Sequence, residues 1–189
     1  MATCKTPLAA ILIFLLLAAV STSTANGPPK ITLVNQPGAV RVLADATYGD
    51  TLSALISKAS QRIDLAMFLF KTSRTSDNLP AELIRDLIAA KQRGVEVRII
   101  LEYSSHDQKL NRANQETAET LRKGGVKVVF DSPGRTNHAK LAVIDRRYCL
   151  VGSHNLTQSA LKYNHEFSLL LDSPPLAGEI LAYMETILK

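Results

Sequence analysis

The sequence predicts an α/β fold in which a mixed β-sheet is flanked by helices on both faces, a three-layer α/β/α sandwich. Two observations carry that expectation. Apolar runs of strand length alternate with segments whose apolar residues recur at helical spacing. Within that alternation, Ile63 to Phe70 is an almost continuous apolar run, as suits a strand covered on both sides. No linker long enough to divide residues 38–189 and no internal repeat breaks the pattern, so they read as one domain. With 189 residues, 46% of them hydrophobic and 21% charged, the composition excludes disordered, collagen-like and disulfide-scaffold classes.

The N-terminus is set apart from this domain. Lys5 is followed by an uninterrupted apolar stretch from Leu8 to Val20 and then by small residues from Ser21 to Ala25, the anatomy of a secretory signal peptide over residues 1–25. An uncleaved membrane anchor is the competing expectation, but about 13 apolar residues fall short of the roughly 20 a spanning helix needs. Export, to the medium or the periplasm, is therefore expected. Cys4 leaves with the leader, so Cys149 is alone and no internal disulfide can form. Its apolar setting, Tyr148 to Val151, marks it as a buried structural thiol.

Residues 26–37 are rich in Gly, Pro and Asn and read as a lead-in with one edge strand at Ile31 to Val34. Val40 to Leu43 is strand-like, and Leu52, Leu55, Ile56 and Ala59 follow at helical spacing with Asp50 as N-cap. After the Ile63 to Phe70 run, a helix carries Leu83, Ile84, Leu87 and Ile88, opened by Pro80 and closed by Gly94. Val95 to Leu101 is a strand, a helix from about Asn111 ends at Gly124-Gly125, and Val126 to Phe130 is another strand. Ala139 to Ile144, the polar turn Asp145-Arg146-Arg147 and Tyr148 to Gly152 form a hairpin. A strand at Phe167 to Leu171 and a helix after Pro174-Pro175, with Ile180, Tyr183, Met184 and Ile187 on its apolar face, close the chain.

Chemistry concentrates in the hairpin. Side chains alternate along a strand, so His138 and Lys140 project to one side. Two basic groups at the end of an apolar strand are costly unless an anion binds between them. Gly152-Ser153-His154-Asn155 ends the second hairpin strand, and Ser153 and Asn155 offer neutral donors for phosphate oxygens beside Lys140. The set suits attack on a phosphodiester by an imidazole nitrogen, with the other nitrogen held by a carboxylate, for which Glu166 is the candidate. Lys140, Ser153 and Asn155 would then stabilise charge on the transferring phosphoryl group.

His138-x-Lys140-x4-Asp145, followed by Gly152 to Asn155 and Glu166, resembles the H-x-K-x4-D signature of the phospholipase D superfamily. The resemblance spans most of residues 38–189 and is similar in kind to the small secreted bacterial endonucleases of that superfamily, with one signature per chain. It implies a phospholipase D/nuclease-like fold, a covalent phosphohistidine intermediate and no metal or other cofactor. It also implies that two signatures build one site, one His as nucleophile and the other as general acid, and hence a homodimer with the active site at its two-fold interface. Asp145 belongs to the motif, yet its position at the start of the turn points to a structural role.

Other features have plainer explanations. His154 and His165 lack the spacing of a zinc site. Arg146-Arg147 is a solvated turn before it is a substrate contact, and the loop from Tyr103 to Lys109, with Arg112 beyond it, follows a strand end where α/β sites form. Glu102 is expected as a strand-end residue. The net charge of +5, or +4 without Lys5, suits a polyanion. Nucleic acid is the expected substrate, held through its phosphates; a phospholipid headgroup ester is the alternative. A catalytically silent polyanion-binding module would not need a carboxylate-oriented imidazole.

Overall fold

The computed structural model describes residues 39–72 and 75–189, together with Met1. The leader, the lead-in and its edge strand at Ile31 to Val34 lie outside the described residues. All elements belong to the larger of two units, residues 31–189. In chain order they are β1 (Val40–Ala44), α1 (Thr47–Lys58), β2 (Arg62–Met67), β3 (Phe70–Lys71), α2 (Leu79–Gln92), β4 (Glu96–Leu101) and α3 (Gln108–Lys123). There follow β5 (Lys127–Phe130), β6 (Lys140–Ile144), β7 (Tyr148–Gly152), β8 (Leu156–Thr157), α4 (Gln158–Lys162), β9 (Phe167–Asp172) and α5 (Pro174–Ile187). Among the described residues no helix is long and apolar enough to cross a membrane.

Seven of the described strands form one sheet in the order β1-β9-β7-β6-β2-β4-β5. β2, β4 and β5 run parallel, whereas β6, β7, β9 and β1 are joined by antiparallel pairings. The sheet is mixed because the helical crossovers of the first half give way to the β6–β7 hairpin. Alternation then sorts the core into two layers. Leu65, Ile99, Ala142 and Leu150 face Leu52, Leu55, Ile56 and Leu87 of α1 and α2. Ala66, Ile100, Val143 and Cys149 face Ala177 and Met184 of α5. Burial pushes the Cys149 thiol up to about 11, so it stays protonated and unreactive.

Some boundaries differ from the sequence expectation, each for a local reason. The turn at Asp45, with a φ of 51°, starts α1 at Thr47, so Ala46 is the N-cap and Asp50 lies in the first turn, where its charge suits the helix dipole. The Ile63 to Phe70 run does not continue as one strand. β2 stops at Met67 because the buried Asn114 side chain accepts from Phe70 N at 3.0 Å and donates to Phe68 O at 2.9 Å, taking the backbone groups a ladder would use. Phe70 then pairs with Leu156 in a separate two-stranded sheet, β3-β8, that the sequence reading missed along with α4. Asp107 caps α3 at Leu110 N, 2.9 Å, so that helix begins before Asn111. Tyr183, expected on the apolar face of α5, is 53% exposed.

The β6–β7 hairpin closes through Asp145 and Arg146, with φ of 52° and 53°, the paired positive values of a turn that follows the strand twist. The Asp145 carboxylate accepts from the backbone N–H of Ser60, Gln61 and Arg62 at 2.8–3.2 Å and from the Ser60 hydroxyl at 3.0 Å. Burial pushes the Asp145 carboxyl up, but these backbone donors and the Ser60 hydroxyl outweigh it and hold it below the usual carboxylate value. Asp145→Ala leaves several N–H groups unpaired and is expected to destabilise the fold by about 1–3 kcal/mol, read by urea unfolding. Because the folded pKa is depressed, this contribution is present above the unfolded value of about 3.9 and is lost as the pH falls through the folded value. The stability gap between wild type and variant should close in that acid window.

Candidate functional site

The C-terminal ends of β2, β4, β5, β7 and β1 meet the starts of β6 and β9 along one edge of the sheet. The register places Lys140 opposite Met67, and Phe68 N donates to Ala139 O at 3.1 Å, fixing the chain immediately after His138. His138 is exposed, while Lys140 is only 7% exposed. The Lys140 ammonium donates to the His138 carbonyl at 2.8 Å, lies 3.0 Å from His138 Nδ1 and sits 5.0 Å from the centroid of the Phe68 ring. That ring also tilts against the imidazole, with centroids 4.6 Å apart.

An ammonium can only donate, so in this arrangement Nδ1 accepts and the neutral ring carries its proton on Nε2. Desolvation, then the neighbouring Lys140 charge, lowers the His138 pKa, which keeps the imidazole neutral near neutral pH. Burial likewise lowers the Lys140 pKa, opposed by the charge of Glu166.

Gly152 brings the second half of the set into place. A Cβ there would meet Ser168 Oγ at 2.1 Å and Phe167 O at 2.4 Å, so only glycine lets β7 and β9 approach this closely. Ser153 N then donates to Phe167 O at 3.0 Å, and the Ser153 hydroxyl accepts from Phe167 N at 3.1 Å and donates to Glu166 Oε2. Asn164 Nδ2 donates to the other Glu166 oxygen at 3.1 Å. The expected contact of Glu166 with the His138 ring is therefore not made: Glu166 is engaged by Ser153 and Asn164, and Nδ1 faces Lys140. Asn155 is half-buried at the same edge, next to Leu156, whose N–H donates to Leu69 O at 3.0 Å; its Oδ1 is enclosed without a partner among the described residues.

Asp145 is not part of this edge. It lies at the far end of β6, in the turn, where its carboxylate gathers the backbone N–H groups of Ser60, Gln61 and Arg62, as its turn position in the sequence suggests for this motif residue. Arg147 is held there too, by Asp172 at 2.6 and 2.8 Å. His154 is fully buried, stacked on Tyr48 with centroids 4.3 Å apart, its Nε2 donating to Asp45 O at 2.9 Å and its Nδ1 accepting from the Ser168 hydroxyl at 2.7 Å. His165 is exposed, 3.4 Å from Asp45. Among the described residues no group of three or more His, Cys, Asp and Glu side chains is placed to hold a metal ion.

Sequence reasoning does not single out Phe68, which packs against His138, or Asn114, which holds the Phe68 backbone, although a polar side chain within the apolar stripe of α3 is a usable signal. Asn114 Nδ2 also donates to Glu102 O at 3.0 Å, tying the ends of β2 and β4 together behind the site. Glu102, 1% exposed, accepts from Asn137 N at 2.6 Å and so braces the residue before His138. Burial, then its hydrogen bond with Asp131, pushes the Glu102 carboxyl up to about 7.

A raised folded pKa favours the protonated acid. The stability it gives is complete below the unfolded value of about 4.3 and is lost as the pH rises through about 7. Glu102→Gln keeps an acceptor for Asn137 and presents N–H to Asp131. It should flatten the fall in unfolding free energy between those two pH values and match or exceed wild type at pH about 8, as followed by urea titrations.

Residues 52–188 match the family model for the cardiolipin synthase, PLD-like domain. The phospholipase D of Rickettsia felis is 34% identical over 95 residues, covering 50% of this chain and 45% of that protein. The polyphosphate kinase of Vibrio vulnificus is 29% identical over 136 residues, covering 68% of this chain and 19% of that protein. The chain thus spans less than half the length of these curated relatives. Among solved structures, the phospholipase D family member Nuc from Salmonella typhimurium superposes with a TM-score of 0.65 at 22% identity, covering 79% of this chain and 94% of that chain. NucT from Helicobacter pylori gives a TM-score of 0.63 at 21% identity, covering 79% and 95%. At such identities the likeness to the structures is one of fold.

Proposed function

The chain belongs to the phospholipase D-like family, and on that premise we propose that it is a metal-independent phosphodiesterase that cuts nucleic acid with little sequence preference through a covalent phosphohistidine. The observation that carries the proposal is the exposed, neutral His138 imidazole set 3.0 Å from the buried ammonium of Lys140 at the open edge of the sheet. In the proposed reaction a His138 nitrogen attacks phosphorus. The N–P bond forms as the P–O bond to the leaving oxygen breaks, and a second acid protonates that oxygen. Water then attacks the phosphohistidine, the N–P bond breaks, and the base left by the first step takes the water proton.

Lys140 and Asn155 supply donors for the phosphoryl oxygens, and the Ser153 hydroxyl joins them by exchanging its Glu166 acceptor for the phosphate. An arriving phosphate gives the Lys140 ammonium a stronger acceptor than Nδ1 and frees the ring to turn toward the Glu166 carboxylate. Each chain contributes one His138, whereas attack and leaving-group protonation need two groups. A second copy across a two-fold axis supplies the acid, which makes the functional unit a homodimer. The basic chain and the absence of Trp support nucleic acid over lipid. The leader supports export, to the periplasm or the medium. The similarity to a Rickettsia phospholipase D favours a second reading, hydrolysis of a phospholipid headgroup ester by the same chemistry.

Purified protein in EDTA, offered plasmid DNA, RNA and phosphatidylcholine vesicles, tests these statements together. DNA cleavage is expected to survive EDTA and to fall by about 10³-fold or more in His138→Ala. The kcat/KM of the wild type should fall at acid pH, below about 6.5, where the attacking His138 with its lowered pKa takes up a proton, and again at alkaline pH, where the acid supplied by the second copy has lost its own. Cleavage abolished by EDTA refutes the metal-free route, and vesicle hydrolysis without DNA cleavage selects the second reading. Light scattering should give a dimer; a monomer that stays fully active on dilution overturns the shared site.

A further inference from the structure

A cavity of about 350 Å³ opens beside the loop that leads into His138, between that loop and the C-terminal turns of α5. Arg135, Thr136 and Asn137 line one wall, with Ser132 below them, and Tyr183 and Lys189 line the other. No Asp or Glu is among its lining residues. Neither the Arg135 guanidinium nor the Lys189 ammonium has a side-chain partner among the described residues, so two unpaired basic side chains belong to the lining of one opening. Arg62, Arg98, Arg147 and Lys162, by contrast, lie in ion pairs. Asn137, only 6% exposed, leaves its Nδ2 without an acceptor, a cost that an oxygen seated on that wall would recover. Across from Arg135, Tyr183 is 53% exposed on a helix whose Ile180, Leu181, Met184 and Ile187 pack inward.

Unpaired cations, neutral donors and an exposed aromatic ring in one cavity are the parts of a nucleotide subsite: charge for a phosphate and a face for a base. Arg135 is three residues from His138, at most about 11 Å along the chain, so a phosphate held there belongs to the same strand as the one under attack. We propose that this cavity binds the nucleotide next to the scissile phosphodiester, with Arg135 and Lys189 on its phosphate and Tyr183 stacked on its base. The inference deepens the nucleic-acid reading and rests on it. A phospholipid has no base to stack on Tyr183.

The test compares a substrate that reaches the cavity with one that does not. Arg135→Ala and Tyr183→Ala change exposed side chains and should fold normally. Each should lower kcat/KM on a single-stranded oligonucleotide by about tenfold, with a shallower salt dependence for Arg135→Ala, while turnover of bis(4-nitrophenyl) phosphate stays within about twofold of wild type. Equal losses on both substrates, or no loss on the oligonucleotide, overturn the subsite while leaving the phosphodiesterase reading intact. Fluorescence anisotropy with the same oligonucleotide separates the two claims. If the wild type hydrolyses neither substrate, weaker binding by both variants still supports the subsite while the catalytic reading fails. Variants that lose binding to anionic vesicles but bind the oligonucleotide as wild type does overturn it in favour of a lipid surface.

Discussion

The antiparallel register of β6 against β2 is the constraint on which the site depends. A slip of one residue would exchange the two faces of β6, turning Ala142 and Ile144 out of one layer and Val143 out of the other. It would also move Lys140 away from its place opposite Met67. The register is held at both ends. At the site end, Phe68 N bonds Ala139 O. At the far end, Asp145 N donates to Arg62 O at 2.7 Å while its carboxylate gathers the N–H groups of residues 60–62. The motif spacing between Lys140 and Asp145 is thus the length of a strand, five residues or about 17 Å, with chemistry at one end and a fastener at the other.

That distinction explains what the sequence made legible. Helical and strand periodicities, the hairpin and the two-faced central strand follow from side-chain alternation, which local sequence records directly. The parting of Phe68 and Phe70 from β2 does not, because it is decided by Asn114, a residue 44 positions from Phe70 whose amide satisfies backbone groups no neighbouring strand reaches. The separation of Asp145 from the site was visible in its turn position. The engagement of Glu166 with Ser153 was not, since it follows from the contact of Gly152 with β9 and reverses the contact that the motif alone suggests.

Charge burial at the edge follows one logic. Lys140 is almost fully enclosed, and an enclosed ammonium is tolerated only with acceptors around it. It has the His138 carbonyl, the imidazole nitrogen and the π-face of Phe68, all of them neutral. The carboxylates nearby are committed elsewhere: Glu166 to Ser153 and Asn164, and Asp131 to Tyr103 N at 2.6 Å. Glu102, which braces Asn137, is pushed toward its protonated form. The edge is therefore left with an ammonium that forms no ion pair among the described residues and feels the Glu166 charge without contact, a condition an incoming phosphate relieves.

The same argument gives the resting contact between Lys140 and Nδ1 a meaning. With the ring proton on Nε2, His138 cannot at once attack through Nε2 and keep Lys140 on Nδ1. Something must draw the ammonium away, and a phosphate dianion or diester is a better acceptor for it than a neutral imidazole. In the proposed reaction the group that triggers the change is then the substrate itself. Lys140 is only 7% exposed, which leaves water little access to the ammonium, so in that reaction His138 stays paired with it until a phosphate arrives. The buried position of Lys140, costly in the free protein, couples nucleophile activation to phosphate binding.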